Sequence, residues 1–412
     1  MIGRLRAGVG DPVLLVLVIL LSLFGVAMVY SAGQLDVPTV RVQDVWRLQL
    51  AWLGVALIAF YVVLRIPVRW LEWITVPAYV VSIILLAATL VIGQGFGTAK
   101  GTKSWISLGP LTFQPSQFAN LAVIMMLARV MGNWREPPRS ITKLLLPVGI
   151  VALPMALVAL QPDLGTALVY TSILLVTLYW SGAPVGMIFM LVSPVLGLLL
   201  SFATLPFTIY MVALIAFLYF YRAYLWESAL VLFANIAAGA IAIPLWDKLA
   251  QYQKNRLLVF LDPSIDPRGA GWHVIQSRVA IGSGGLFGKG FTLGTQKRLA
   301  FLPEQHTDFI FSVIGEEFGF VGTVGVLLVF GAILWRLVRI AERCSDPFAG
   351  IVVFGIFGAW FAHIIVNVGM TAGVMPITGI PLPFLSYGGS FLVAAYLGVA
   401  IAQRIASEQG KV

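Results

Sequence analysis

Residues 301–317 read FLPEQHTDFIFSVIGEE. Glu304, Asp308, Glu316 and Glu317 supply carboxylates there, and His306 an imidazole. Such groups suit proton transfer: a positioned carboxylate takes a proton from a hydroxyl, and its neighbours tune it. The stretch runs on into GFVGTVGVLLVFGAILW, apolar enough for a membrane helix. A carboxylate at the centre of such a helix costs about 2.5–3.5 kcal/mol on insertion scales. Acids kept at that cost point to function, and Asp308 is the candidate base. The plainer reading stays open, because an Asp near a helix start is often a cap or a partner of the helix dipole. Pro303 and Glu304 read as the helix entry. Glu316 and Glu317 lie about 12–14 Å further along the axis, too far to share a proton with Asp308. At least one of them is expected to pair with a cation or a backbone group.

The preceding segment carries cations. GSGGLFGKGF holds Lys289 among glycines, and Lys297 and Arg298 follow. Glycines let backbone N–H groups converge on an anion and lysine adds charge, although a flexible connector has the same composition. Earlier in this segment Leu257, Leu258, Val259 and Phe260, with Lys254 and Arg256 nearby, form an amphipathic stretch suited to a membrane interface. Three further polar stretches stand between apolar runs: GTAKGTKSWISLGPLTFQPSQ with Lys103, QPDLGTA with Asp163, and GVMPITGIPLPFLSYGGS with Ser386. Irregular backbone at membrane depth is tolerated where protein buries it or where it lines a wet cavity. One polar cavity open to the outside is therefore expected. His273, His306 and His363 are the only histidines and lack ligand spacing, so no metal site is read. Cys344 is the only cysteine, and no G-x-S-x-G nucleophile motif occurs.

The elements that must position these groups are membrane helices. The 412 residues are 60% hydrophobic and 10% charged, far below the roughly 25% charged residues of soluble domains. Apolar runs long enough for helices fall near 12–31, 47–65, 73–93, 116–132, 142–160, 164–182, 185–203, 206–222, 228–245, 309–335, 348–370 and 387–404, twelve in all. The fold class is an all-α polytopic membrane protein, a single membrane domain over 1–412 with one large outer loop at 246–307. The net charge of +9 fits Lys and Arg placed at membrane boundaries and not a nucleic-acid partner. With the N-terminus in the cytoplasm, short inner segments hold fourteen Lys and Arg and short outer ones hold Arg41, Arg47, Lys100 and Lys103. Both termini are expected in the cytoplasm and the large loop outside.

FQPSQ, QPDLGTA, DPRGAGWHVIQSRVAIGSGGLFGKG, GTQKRLAFLPEQHTDFIFSVIGEEFG and GIPLPFLSYGGS together resemble the SEDS family of cell-wall polymerases, nearer its elongation branch than its division branch. The resemblance spans about residues 12–405. It implies a helical bundle with a core of ten spans, so that 206–245 reads as an extra pair. It implies peptidoglycan glycosyltransferase activity on lipid II at the outer face of a bacterial inner membrane. A class B penicillin-binding protein and the elongation machinery are the implied partners. The family's proposed catalytic aspartate sits in the motif that is His306-Thr307-Asp308-Phe309 here. Many relatives carry a Glu and a Lys after Gln-Pro-Ser, where this chain has Gln117 and Asn120, a pair able to hydrogen-bond to one another. Many also have Arg before the tryptophan of the first outer loop, where Ser104 precedes Trp105 and Lys103 is the available substitute.

The resulting expectation is a glycosyltransferase with Asp308 as general base. Lys289, Lys297 and Arg298 offset charge on a leaving pyrophosphate, and His306, Glu304, Lys103, Asp163 and Ser386 join them as candidate substrate contacts. A divalent cation, Mg or Mn, is compatible with such chemistry, although the sequence offers no defined cage. A flippase or transporter of polyprenyl-pyrophosphate-linked sugars fits the same cavity and acids, but transporters favour midplane sites between repeated halves. Here no halves repeat and the polar motifs gather on one face. A purely structural scaffold leaves the acidic cluster unexplained.

Overall fold

A computed structural model describes residues 8–36, 44–95, 103–109, 111–249, 251–266, 270–302 and 304–409. Arg4, Arg6, Arg41, Lys100, Pro303 and Lys411 lie outside the described residues. Every expected apolar run is occupied by a helix: α1 (Pro12–Ala32), α2 (Val45–Leu64), α3 (Val68–Ile92), α4 (Pro115–Met131), α5 (Leu145–Leu160), α6 (Leu164–Trp180), α7 (Val185–Leu200), α8 (Thr204–Tyr221), α9 (Leu225–Lys248), α13 (Ile310–Glu342), α14 (Pro347–Ala372) and α15 (Gly389–Gln409). Among the described residues nine helices are long and apolar enough to cross a membrane, counting α5 with the 3-10 turn at Ile141–Leu144, while α4, α6 and α7 are shorter. A hairpin of β1 (Ile106–Leu108) and β2 (Leu111–Phe113) precedes α4. The loop before α13 is itself helical, with α10 (Gln251–Leu261), α11 (Ala270–Ser283) and α12 (Thr295–Arg298).

Burial sorts helices that composition leaves alike. The apolar window of α14 is 83% buried, and α14 packs against α4, α6 and α13 as the centre of the bundle. A helix apolar all round is at home in such a place or in lipid. The equivalent windows of α8 and α9 are 11% and 17% buried. Both pack on α7, so they form an outlying pair. One polar knot fastens them: Tyr210 donates to Ser193 O (2.7 Å) and to Asn235 Oδ1 (2.9 Å), and Asn235 Nδ2 donates to Ser193 Oγ (2.9 Å). Glu227, buried at the start of α9, accepts from Ser140 Oγ (2.7 Å) and Ile141 N (2.9 Å).

The helix that carries the acids is not continuous. Gly319 takes φ +64°, ψ −157° inside α13, which splits it into a short half, 310–318, and a long half, 320–342. The split exposes backbone groups that cost several kcal/mol each if left unpaired in an apolar setting. The glycine-rich loop pairs them. Lys289 N and Gly290 N donate to Glu316 O and Glu317 O (both 3.0 Å), while Phe320 N and Val321 N donate to Gly285 O (2.8 Å) and Leu286 O (3.1 Å). A Cβ at Gly288 would stand 2.1 Å from Glu317 O, so only glycine allows this approach. The loop is thus neither a loose connector nor an anion nest, because these backbone groups are consumed in splicing the helix.

Candidate active site around Asp308

Asp308 sits one residue before the helix cap. The cap residue of α13 is Phe309, which has no side-chain cap bond, and the hydrogen bond to the Asp308 carboxyl comes from Thr307. Its place is set by backbone. Glu304 adopts φ +51°, and its carbonyl accepts from Thr307 N and Asp308 N (both 3.1 Å). Asn367 of α14 donates to Asp308 O (2.9 Å) and Ile380 O (2.7 Å). Ser386 Oγ donates to Thr307 O (2.6 Å) and accepts from Leu382 N (2.9 Å), and Tyr387 N donates to His306 O (2.9 Å). The loop 378–388 thus holds the backbone of residues 306–308. Gly379, at φ +73°, lies so close that a Cβ there would stand 3.2 Å from Asp308 Oδ2.

Two loops converge on this point. Asp163 caps α6, accepting from Thr166 N (3.0 Å) and Thr166 Oγ1 (2.8 Å). Gly165 approaches the 378–380 backbone closely, since a Cβ there would meet Thr378 O at 3.1 Å. Burial pushes the Asp308 carboxyl up to about 7, with the Glu304 charge adding to the rise and Arg256 opposing it. Burial likewise raises Asp163, against its two bonds from Thr166 and the charge of Arg256. The imidazoles of His306 and His273 are pulled down by burial. The His273 ring lies against Phe309, 5.9 Å between ring centres, and its Nδ1 has no partner among the described residues. Glu304, Arg256 and Asp163 therefore form the electrostatic surroundings of Asp308, and His273 and His306 share the charge of Glu304 with it.

The other expected cations are placed elsewhere. Lys289 pairs with Glu316 (2.8 Å), which also accepts from Gln296 N (2.9 Å) and Thr295 Oγ1 (3.1 Å). Lys297 is fully buried and pairs with Glu317. Arg298 pairs with Asp36 (2.6 Å). Both acids of the GEE motif thus have cationic partners, as expected, but three of the cations expected at the pyrophosphate are engaged with carboxylates. Arg256, on the amphipathic α10, is the cation whose charge reaches Asp308, Asp163 and His273. The sequence showed it only as a neighbour of an interfacial stretch. Lys103 is exposed and donates to Leu90 O (3.4 Å) at the end of α3. Gln117 donates to Gln114 Oε1 (3.2 Å) and not to Asn120, whose Oδ1 has no partner among the described residues. Among the described residues no three of His, Cys, Asp and Glu stand together as a metal site. An apolar groove of about 1010 Å³ opens between α2, α3, α4 and α15, lined by Trp70, Trp73, Phe113 and Phe118 among others.

Comparison with known proteins follows the same ground. The sequence model of the FtsW, RodA and SpoVE cell cycle proteins matches residues 12–207 and 192–411. The chain is 35% identical over 431 aligned residues to the peptidoglycan glycosyltransferase RodA of Treponema pallidum, covering 97% of this chain and 98% of the relative. It is 33% identical over 397 to the peptidoglycan glycosyltransferase MrdB of Escherichia coli K12, covering 96% and 93%. Its fold is similar to a chain solved in a study of how a peptidoglycan synthase complex coordinates polymerization and crosslinking, with a TM-score of 0.72 at 28% identity over 98% of this chain and 99% of that one.

Proposed function

Since this multi-pass membrane chain belongs to the FtsW/RodA/SpoVE family of cell cycle proteins, we propose that it is a peptidoglycan glycosyltransferase of cell elongation that polymerises lipid II with Asp308 as general base. The observation that carries this reading is the Asp308 carboxyl itself. It stands at the mouth of an interrupted helix, and burial pushes it up to about 7, near the pH at which a base is most effective. Asp308 takes the proton of the acceptor sugar hydroxyl. The freed oxygen attacks the donor's anomeric carbon, and the bond to the lipid pyrophosphate breaks with its electron pair leaving on the pyrophosphate. One displacement inverts the anomeric centre. Arg256 is the best-placed group to meet charge on the leaving pyrophosphate. Lys289 and Arg298 are partly exposed and reach it only by sharing their carboxylate partners, whereas Lys297 is sealed from it. The apolar groove has the chemistry for a polyprenyl chain.

The fourteen-to-four bias of Lys and Arg in short segments supports a topology with both termini in the cytoplasm and Asp308 outside. A class B penicillin-binding protein of the elongation machinery is the proposed transpeptidase partner. The test is purified protein with lipid II, with and without such a partner, scored for glycan polymer on a gel. A ladder with either supports the reading. Lipid II moved across vesicles without any polymer would replace it with a flippase. A cytoplasm-only reporter active at Gly285 would overturn the orientation.

A further inference from the structure

Helix α1 is fastened to the broken helix at both of its ends. At its start Asp11 pairs with Arg336 of α13, 2.6 Å to Nη2 and 2.7 Å to Nε, and exchanges two hydrogen bonds with Gln403 of α15 (2.7 and 2.6 Å). At its end Ser31 Oγ donates to both Glu317 oxygens (2.6 and 2.7 Å). Lys297 lies between them. Its ammonium pairs with Glu317, bonds the Ser31 hydroxyl, and donates to Ser31 O (2.8 Å), with no part of the side chain exposed. Gln305 adds a bond to Ala32 O (2.7 Å). The segment leading into Asp308 and the turns following it are thus tied to the last turn of one helix. The two fastenings straddle Gly319, where the ladder of α13 is interrupted.

A half-helix beyond a break is located by its lateral contacts. A base must sit within a fraction of an ångström of its place for full effect. A helix C-terminus also favours a cation, so Lys297 is drawn to the end of α1. A buried ion pair adds little net stability over an apolar pair of the same shape. Fold stability alone therefore does not account for its presence.

We propose that Lys297 is a positioning residue for Asp308: through Ser31 and Glu317 it fixes the half-helix 310–318 to α1 across the break at Gly319. This rests on the assignment of Asp308 as the base of the polymerase reaction. It separates Lys297 from the substrate, to which its charge alone would have assigned it.

The test uses the full-length chain in lipid nanodiscs with lipid II, and rates are scaled to folded protein. Lys297→Met/Glu317→Gln removes both charges and leaves no unpaired buried ion, while Ser31→Ala keeps the ion pair and removes the bridging hydroxyl. The double variant is expected to lower kcat by about tenfold to a hundredfold, the loss that a misplaced catalytic group brings, with KM for lipid II essentially unchanged. Ser31→Ala is expected to show the same split with a smaller loss. A double variant with wild-type kcat overturns the proposal, because the pair then serves the fold alone. A raised KM with unchanged kcat overturns it too, by placing Lys297 at the substrate. If the double variant does not fold, Ser31→Ala decides, and wild-type kcat there overturns the proposal. A wild type that makes no polymer removes the glycosyltransferase reading and this one with it. A polymerising wild type beside an unimpaired double variant removes this one alone.

Discussion

The half-helix 310–318 and the pair α8–α9 both carry polar side chains in apolar surroundings, but they spend them differently. In the half-helix the buried Glu316 and Glu317 reach Lys289, Lys297, Gln296 and Ser31, from three separate parts of the chain. In the pair, Tyr210, Asn235 and Ser193 close a local knot, and most of the surface stays open. The first arrangement fixes an irregular backbone next to a base. The second fastens two regular helices to a third. Polar groups that tie a broken helix to irregular backbone and, through Ser31, to another helix mark where the chain cannot drift, and polar groups that close between regular helices mark packing.

This contrast predicts unequal losses. Asp308→Asn keeps shape but cannot accept a proton. It is expected to lower polymerisation of lipid II by about 10²–10⁴ with expression and lipid II binding retained. A wild-type rate in that variant would return Asp308 to a structural role and send the search to Asp163. Glu316→Ala removes the buried acceptor of Lys289, Thr295 and Gln296 and is expected to cost about 1.5–3 kcal/mol, because the partly exposed Lys289 can turn to water; the loss is read as folded yield before chemistry. The pair α8–α9 is expected to tolerate far more. Joining residue 205 to 246 should leave measurable polymerase activity in folded protein, although Ser140 and Ile141 lose the acceptor Glu227. Total loss of activity in well-folded protein would mean that the pair shapes the site. Asn235→Leu alone should cost about 0.6 kcal/mol, the average for hydrogen bonds between membrane helices.

Much of this architecture was legible in the sequence because hydropathy reports directly on helices in lipid. Each apolar run became a helix, and Asp308, Asp163 and Ser386 converge from motifs more than 70 residues apart in sequence. What composition could not separate was which helices face lipid: α14 and α8 read alike and lie at the centre and the edge of the bundle. The break at Gly319 was hidden because a glycine in an apolar run gives no sign of its φ. In sequence the Lys289 loop has the composition of an anion nest or a connector, since the backbone groups that it satisfies belong to a helix about thirty residues on. The fate of Lys297 was hidden for the same reason. Its charge was visible, and Ser31 and Glu317 were not visible as its neighbours.

The smallest predicted effect is the most specific to the site. Burial and the Glu304 charge hold Asp308 near 7, and Arg256 holds it down. A general base must be ionised, so kcat/KM is expected to fall as pH drops through about 7 and to level off above it. Glu304→Gln removes a negative neighbour while keeping the shape of the 304–308 turn. The Asp308 carboxyl then gives up its proton more readily, and the acid limb moves to lower pH, so at pH 6 the variant should outpace the wild type relative to their own plateaus. Arg256→Gln should move the limb the other way, because the charge that favoured the carboxylate is gone. His273 feels the same two charges, Glu304 raising it and Arg256 lowering it, so a third variant, His273→Gln, assigns the limb: the limb and its opposite shifts persist there if they belong to the Asp308 carboxyl. An acid limb that stays in place in both variants would mean that the group controlling the rate is not Asp308.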